Sequence, residues 1–178
     1  MSESDDLLRR IESDRTIADL LAWPGDFDID RRDPVEDLRL PNGRPLHPIA
    51  GDAGGGTYFL VGDPGDADRP VLYADSEGSA GLIAADLAEA VTLVACFPYW
   101  RDLDRDATDA DVAELEEIFR EDGDEFDAAR AELLAALGIT PPPREDAVAR
   151  LHAAVARTEP GHVPSAPGNP PYEVLFHY

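Results

Sequence analysis

Two apolar runs rich in β-branched and aromatic residues constrain the fold of this chain more than any other feature. Thr57–Val61 reads TYFLV, Val71–Ala74 reads VLYA, and residues 62–68 between them read GDPGDAD. Glycine, proline and aspartate favour tight turns, so this arrangement predicts an antiparallel β-hairpin. Weaker strand patterns at 46–50 and 81–84 lie on either side. We therefore predict a central, mostly antiparallel sheet.

Helical periodicity surrounds this sheet region, because apolar residues recur there every three or four positions. The predicted helices cover 5–23, with a break in periodicity near Ser13–Asp14, and then 85–97 and 145–158. Two more helices are predicted between the last two: the first begins at a capping box of Thr108 and Asp111, and the second ends at Gly138. Trp23, at the end of the helix predicted over 5–23, is expected in the core with most other aromatic residues. The terminus 172–178, YEVLFHY, has strand character, and whether it joins the sheet is left open.

The predicted fold class is α+β, with a central, mostly antiparallel sheet packed against helices and a C-terminal helical extension. The chain has 178 residues, a length that suits one domain with an appended part. Strand patterns stop and acidic helices begin near residue 100. We therefore predict an α+β domain over 1–100 and an acidic extension and arm over 101–178, packed on the same domain.

A large surplus of acidic residues limits the partners that this chain can have. There are 38 acidic and 15 basic residues, all of the latter arginine, and the net charge is −23. This charge argues against direct binding to nucleic acid or to anionic membranes. It favours a basic protein partner, whose association would be steered electrostatically and weakened by salt. With no apolar signal core or membrane-length stretch, a cytoplasmic location is expected.

Motifs that would carry chemistry are incomplete in this chain. The glycine run 54–56 precedes a strand rather than a helix, so no phosphate-binding loop is predicted. The pattern Asp102-x-Asp104-x-Asp106 resembles the start of a calcium loop but lacks its glycine and its final glutamate. The four histidines are scattered and share no helical face with the single cysteine, Cys96, which is expected to be buried. We predict no catalytic residue, metal or cofactor.

The candidate contact residues lie at two places. Asp75 and Glu77 could form an acid–base pair, but acids are so frequent here that such pairs arise by chance. Tyr99 and Trp100 follow a helix-ending proline beside Arg101, and the two aromatic residues are expected to be partly exposed. Aromatic and arginine side chains are enriched at binding hot spots. These five residues are the predicted partner-binding positions.

The block 45–78 resembles the SMI1/KNR4 family, also called the SUKH superfamily. The residues that carry the resemblance form a turn, an aromatic strand, a second polar turn and a second strand with an acidic end: Ile49, Ala50, Asp52, Gly55, Gly56, Tyr58, Phe59, Pro70, Val71, Tyr73, Asp75 and Glu77. The resemblance covers about 15–100. The helix 86–97 stands where the family has a closing helix, although LAEAVTLV departs from the family's Phe-x-x-Phe-Leu pattern.

The resemblance implies an α+β fold and, for many bacterial members, an immunity role against toxins of polymorphic toxin systems, which are often nucleases. On this interpretation the protein is a non-enzymatic binding module that neutralises a basic toxin by occlusion. Two alternatives stay open. The first is a scaffold or regulatory protein of the same fold without a toxin partner, and the second is a carboxylate- or metal-dependent enzyme. The oligomeric state is left open.

Overall fold

A five-stranded sheet surrounded by helices forms the structure, a computed structural model that describes residues 2–176. In chain order the elements are α1 (Glu3–Ser13), α2 (Arg15–Ala22), β1 (Leu46–Gly51), β2 (Thr57–Val61), β3 (Val71–Ala74), β4 (Ser79–Ala84), α3 (Leu87–Cys96), a 3₁₀ turn (Trp100–Asp102), α4 (Asp109–Glu121), α5 (Phe126–Leu137), α6 (Arg144–Ala156) and β5 (Glu173–Val174). The predicted α+β fold class is confirmed.

The sheet has the order β1-β2-β3-β4-β5. The first four strands are antiparallel neighbours, and the predicted hairpin of β2 and β3 forms with Thr57 opposite Ala74. β5 runs parallel to β4, with Glu173 opposite Ser79. Part of the C-terminal segment therefore joins the sheet, while 177–178 lie outside the described residues.

The long helix predicted over 5–23 is two helices. Asp14 ends α1 and begins α2, because its side chain accepts hydrogen bonds from the backbone N–H groups of Thr16 and Ile17. Thr16 and Asp19 resemble a capping box in the sequence and predict a cap at Thr16, but the residue that caps α2 is Asp14. Trp23, which follows α2, is exposed rather than in the core.

Both faces of the sheet are covered, and this explains why every residue of β2 and β3 is buried. Tyr58 and Leu60 face a large apolar core built with the helices, whereas Phe59 and Val61 face a smaller one. Side chains from α5 and α6 share the large core with the strands. Of the helices that follow residue 100, α6 packs on β4, while α5 packs on α2 and α3, so the C-terminal helices share one core with the part of the chain before them.

Candidate functional site

A buried ion pair lies where the β1–β2 turn, β3 and the 3₁₀ turn meet. The Asp52 carboxylate is almost inaccessible and accepts three hydrogen bonds. The donors are the Gly56 backbone N–H at 2.8 Å, the Tyr73 hydroxyl at 2.5 Å and Arg101 Nη2 at 2.5 Å. Gly56 is required here because a side chain would overlap the Tyr73 hydroxyl and the Asp52 carboxylate. The turn is therefore built around this carboxylate.

Arg101 completes the cluster from the opposite side. Its Nε and Nη2 each lie 3.1 Å from a tyrosine hydroxyl, of Tyr73 and Tyr58 respectively, and its guanidinium carbon lies 4.7 Å from the ring centres of Tyr73 and Trp100. Although burial opposes ionisation, the Tyr73 hydrogen bond and the Arg101 charge hold the pKa of Asp52 below its ordinary value. Burial raises the pKa of Tyr58 to about 12. These polar groups satisfy one another, so the cluster anchors the fold.

The expected exposure of Tyr99 and Trp100 is wrong. Tyr99 is 3% exposed and Trp100 is fully buried. The chain turns inward after α3, so the Trp100 ring packs edge-on against Tyr73. Tyr99 donates a hydrogen bond to Glu116 at 2.7 Å. The side chain of Arg101 is 30% exposed and faces Asp52. The structure therefore uses this segment for internal packing.

Asp75 and Glu77 lie in the β3–β4 turn at the end of the sheet nearest Asp52. Asp75 is half-buried and accepts hydrogen bonds from the backbone N–H groups of Glu77 and Ser79, so its carboxylate orders the turn. The neighbouring Ser76 donates to the Gly54 carbonyl oxygen at 3.1 Å, which holds the two turns side by side. Of the five predicted contact residues, only Glu77 is exposed.

An open acidic hollow of about 390 Å³ lies between the 3₁₀ turn and α4. Leu115 lines it together with five carboxylates, those of Asp102, Asp104, Asp106, Asp111 and Glu114. We call the depression formed by these six residues the "acidic hollow". The segment 102–106 presents its aspartates here because the intervening Leu103 is buried in the core. Across residues 2–176, no three His, Cys, Asp or Glu side chains converge closely enough to hold a metal ion.

The helix α4 is amphipathic, yet none of its residues is fully buried. Ile118 is 53% exposed. Residues three and four apart are neighbours on a helix, so Glu114 and Glu121 lie one turn on either side of it. We call the side formed by Asp111, Glu114, Ile118 and Glu121 the "α4 face".

The apolar spacing of Val112, Leu115, Ile118 and Phe119 predicts that all four side chains face the core, and the exposure of Ile118 departs from that prediction. The spacing does not reveal this, because adjacent residues point about 100° apart on a helix and both can lie in a wide apolar stripe, as the buried Leu93 and Val94 of α3 do. Phe119 packs against Phe126 of α5 and occupies the inward position. The outward side chain is therefore Ile118.

No protein-family model, curated protein or solved structure matches this chain. The resemblance to the SMI1/KNR4 family therefore stays a prediction. None of the helices in the described part of the chain has the length and apolarity needed to cross a membrane.

Proposed function

We propose that this protein is a non-enzymatic binding module for a basic protein and that it acts in the cytoplasm as an immunity protein, blocking a toxin by covering its anion-binding surface. Nuclease toxins fit this role, because a protein that binds nucleic acid presents a basic surface. The SMI1/KNR4 resemblance leads to the same expectation from the strand region. The observation that carries the proposal is that the arginines are mostly paired, whereas unpaired carboxylates are concentrated in one part of the chain.

The arginines are mostly engaged within the molecule. Eleven of the fifteen lie in ion pairs with carboxylates among residues 2–176. Two of these pairs, Arg69 with Asp5 and Arg101 with Asp52, include a deeply buried partner. Because these arginines already pair with carboxylates of the same chain, the carboxylates that remain unpaired give the surface its negative charge.

The negative charge is densest between residues 101 and 127. This segment has 13 acidic and three basic residues, a net charge of −10. Its carboxylates at 102, 104, 106 and 114 form no ion pair in the described structure. A basic partner would supply the missing counter-charges, and the resulting attraction would raise the association rate.

The test measures binding and inhibition together. We would titrate the full chain into purified basic nuclease toxin domains, with acidic domains of similar size as controls, and follow binding by calorimetry and cleavage by a nuclease assay. We expect one basic domain to bind, to lose activity and to bind more weakly as NaCl rises from about 50 mM to about 500 mM. If none of the basic domains forms a salt-sensitive complex with the chain, the proposal is contradicted. A complex in which the nuclease stays active would contradict the inhibitory role.

A further inference from the structure

We propose that the α4 face is the docking surface for the basic partner and that Ile118 is its apolar anchor. This inference rests on the binding function proposed above and adds the place where the partner binds. It also names the chemistry of the occupant, which is a protein segment that presents an apolar side chain flanked by arginine or lysine.

The apolar part of the surface is larger than one side chain. Ile118 is more than half exposed, and Leu115, one turn before it, is only partly buried and forms the floor of the acidic hollow. A single exposed aliphatic residue is ordinary on a protein surface. Here the exposed isoleucine continues into the partly buried leucine, on a helix that has no fully buried residue. An apolar centre inside a polar rim is the usual anatomy of a protein interface.

The charges on α4 are sorted between its two sides. Arg120 lies on the side that faces α5, where it pairs with Glu116 at 3.1 Å and Asp127 at 2.9 Å. On the α4 face, Glu114 and Glu121 are exposed and lack an arginine partner within residues 2–176. The only basic residue of α4 is therefore directed away from Ile118, and the rim of the apolar centre stays negative.

Charge complementarity selects the occupant. The α4 face continues into the acidic hollow, because Asp111 and Glu114 belong to both, so carboxylates at 102, 104 and 106 extend the negative surface. A second copy of this chain would place carboxylates against carboxylates, and nucleic acid would place phosphates there. Both arrangements are repulsive. A basic amphipathic segment matches the apolar centre and the acidic rim together.

Mapping by NMR tests the location directly. The probe for the ¹⁵N-labelled full chain is a helical peptide of about 20 residues with leucines on one face and arginines beside them. A second peptide keeps every arginine but has serine in place of leucine. We expect the largest amide shift changes in 102–121 and tighter binding of the leucine peptide. Shift changes centred elsewhere would overturn the proposal, as would equal affinity for the two peptides.

The apolar anchor is tested by Ile118→Ala, with Val35→Ala as the matched control, because Val35 is also an exposed aliphatic residue and lies in a loop. Alanine is a better helix former than isoleucine, so α4 should remain folded. We expect Ile118→Ala to lower the affinity for the leucine peptide by about fivefold or more and to leave the affinity for the serine peptide unchanged. Equal effects of the two substitutions on the leucine peptide would refute the anchor.

The acidic rim is tested by the double variant Glu114→Gln/Glu121→Gln. Asp33→Asn/Glu159→Gln is its control, since these acids are also exposed and the change in net charge is the same. We expect a several-fold larger loss of affinity for both peptides in the α4 variant. Equal losses would mean that only the total charge matters, and would refute the surface.

A basic nuclease separates this inference from the proposed function. If the nuclease binds the wild-type chain and both α4 variants equally well, the surface is wrong and the binding function stands. If no basic nuclease binds the wild type, the proposed function is wrong, while the peptide titration still decides where a basic amphipathic segment binds.

Discussion

Removing the Asp52 carboxylate should destabilise the whole protein. Asp52→Ala leaves three donors without their acceptor: the Gly56 N–H, the Tyr73 hydroxyl and Arg101 Nη2. Each stranded buried donor costs about 1–3 kcal/mol, and loss of one partner of a fully buried ion pair costs about 3–5 kcal/mol. Arg101 is partly exposed and keeps its contact with Tyr58, so water and this hydroxyl recover part of the loss. We therefore expect a decrease of about 3 kcal/mol in the free energy of unfolding.

Urea denaturation followed by circular dichroism measures this loss, and a thermal scan provides a second measurement. For a chain of this size, about 3 kcal/mol corresponds to a fall in Tm of about 6–12 °C. Glu77→Ala is the control, because it removes the same charge from an exposed position and should change stability by less than about 0.5 kcal/mol. A difference between the two variants below about 1 kcal/mol would refute the anchoring role of the cluster.

Three further perturbations have defined outcomes. Gly56→Ala should lower the free energy of unfolding by about 2 kcal/mol, seen as a lower urea midpoint, because the new methyl group overlaps the Tyr73 hydroxyl. Hydrogen bonds from the Ser2 hydroxyl and from the backbone of the 62–68 turn lower the pKa of Asp5 to about 2. As the pH falls from about 4 to about 2, the wild type should therefore lose more stability than the Asp5→Asn variant. Equal losses in the two proteins would contradict this prediction. Burial raises the pKa of Cys96 to about 11, so its thiol should react with a disulfide reagent at pH about 8 only when urea unfolds the chain.

The sign of the Asp5 effect follows from proton linkage. A carboxyl whose pKa is lower in the folded state binds fewer protons there than in the unfolded state, so its contribution is complete above the unfolded pKa of 3.8. As the pH falls through the folded pKa of about 2, the proton also binds to the folded state and the contribution is lost. Asparagine at this position cannot titrate, so the variant lacks this part of the pH dependence.

Strands β2 and β3 could be predicted from the sequence because their signals, a short apolar run and the turn residues beside it, are adjacent along the chain. The bounds of β2 and β3 coincide with the two apolar runs, whose ends are marked by glycine and proline. The segment 27–29 alternates apolar and polar residues in the manner of a short strand, but it forms a single bridge between Asp28 and Gly51. With only one apolar–polar alternation, the pattern of this segment is too short to predict a strand.

The internal cluster could not be predicted from local patterns. Asp52 and Arg101 are 49 residues apart, and no spacing rule joins an acid in a turn to an arginine after a helix. The burial of Trp100 depends on the same long-range arrangement, since its ring packs against Tyr58 and Tyr73 from two different strands. An aromatic–arginine triplet is typical of both interfaces and cores, and only the tertiary structure distinguishes them.

One short segment serves both the interior and the surface. Trp100, Arg101 and Leu103 fix it to the core, while the aspartates at 102, 104 and 106 stand outward beside α4. Ten net negative charges in 101–127 repel one another, and this repulsion costs the free protein stability. The buried ion pair and the aromatic packing offset that cost and hold the carboxylates in place. A basic segment docked as proposed above would reduce the same repulsion.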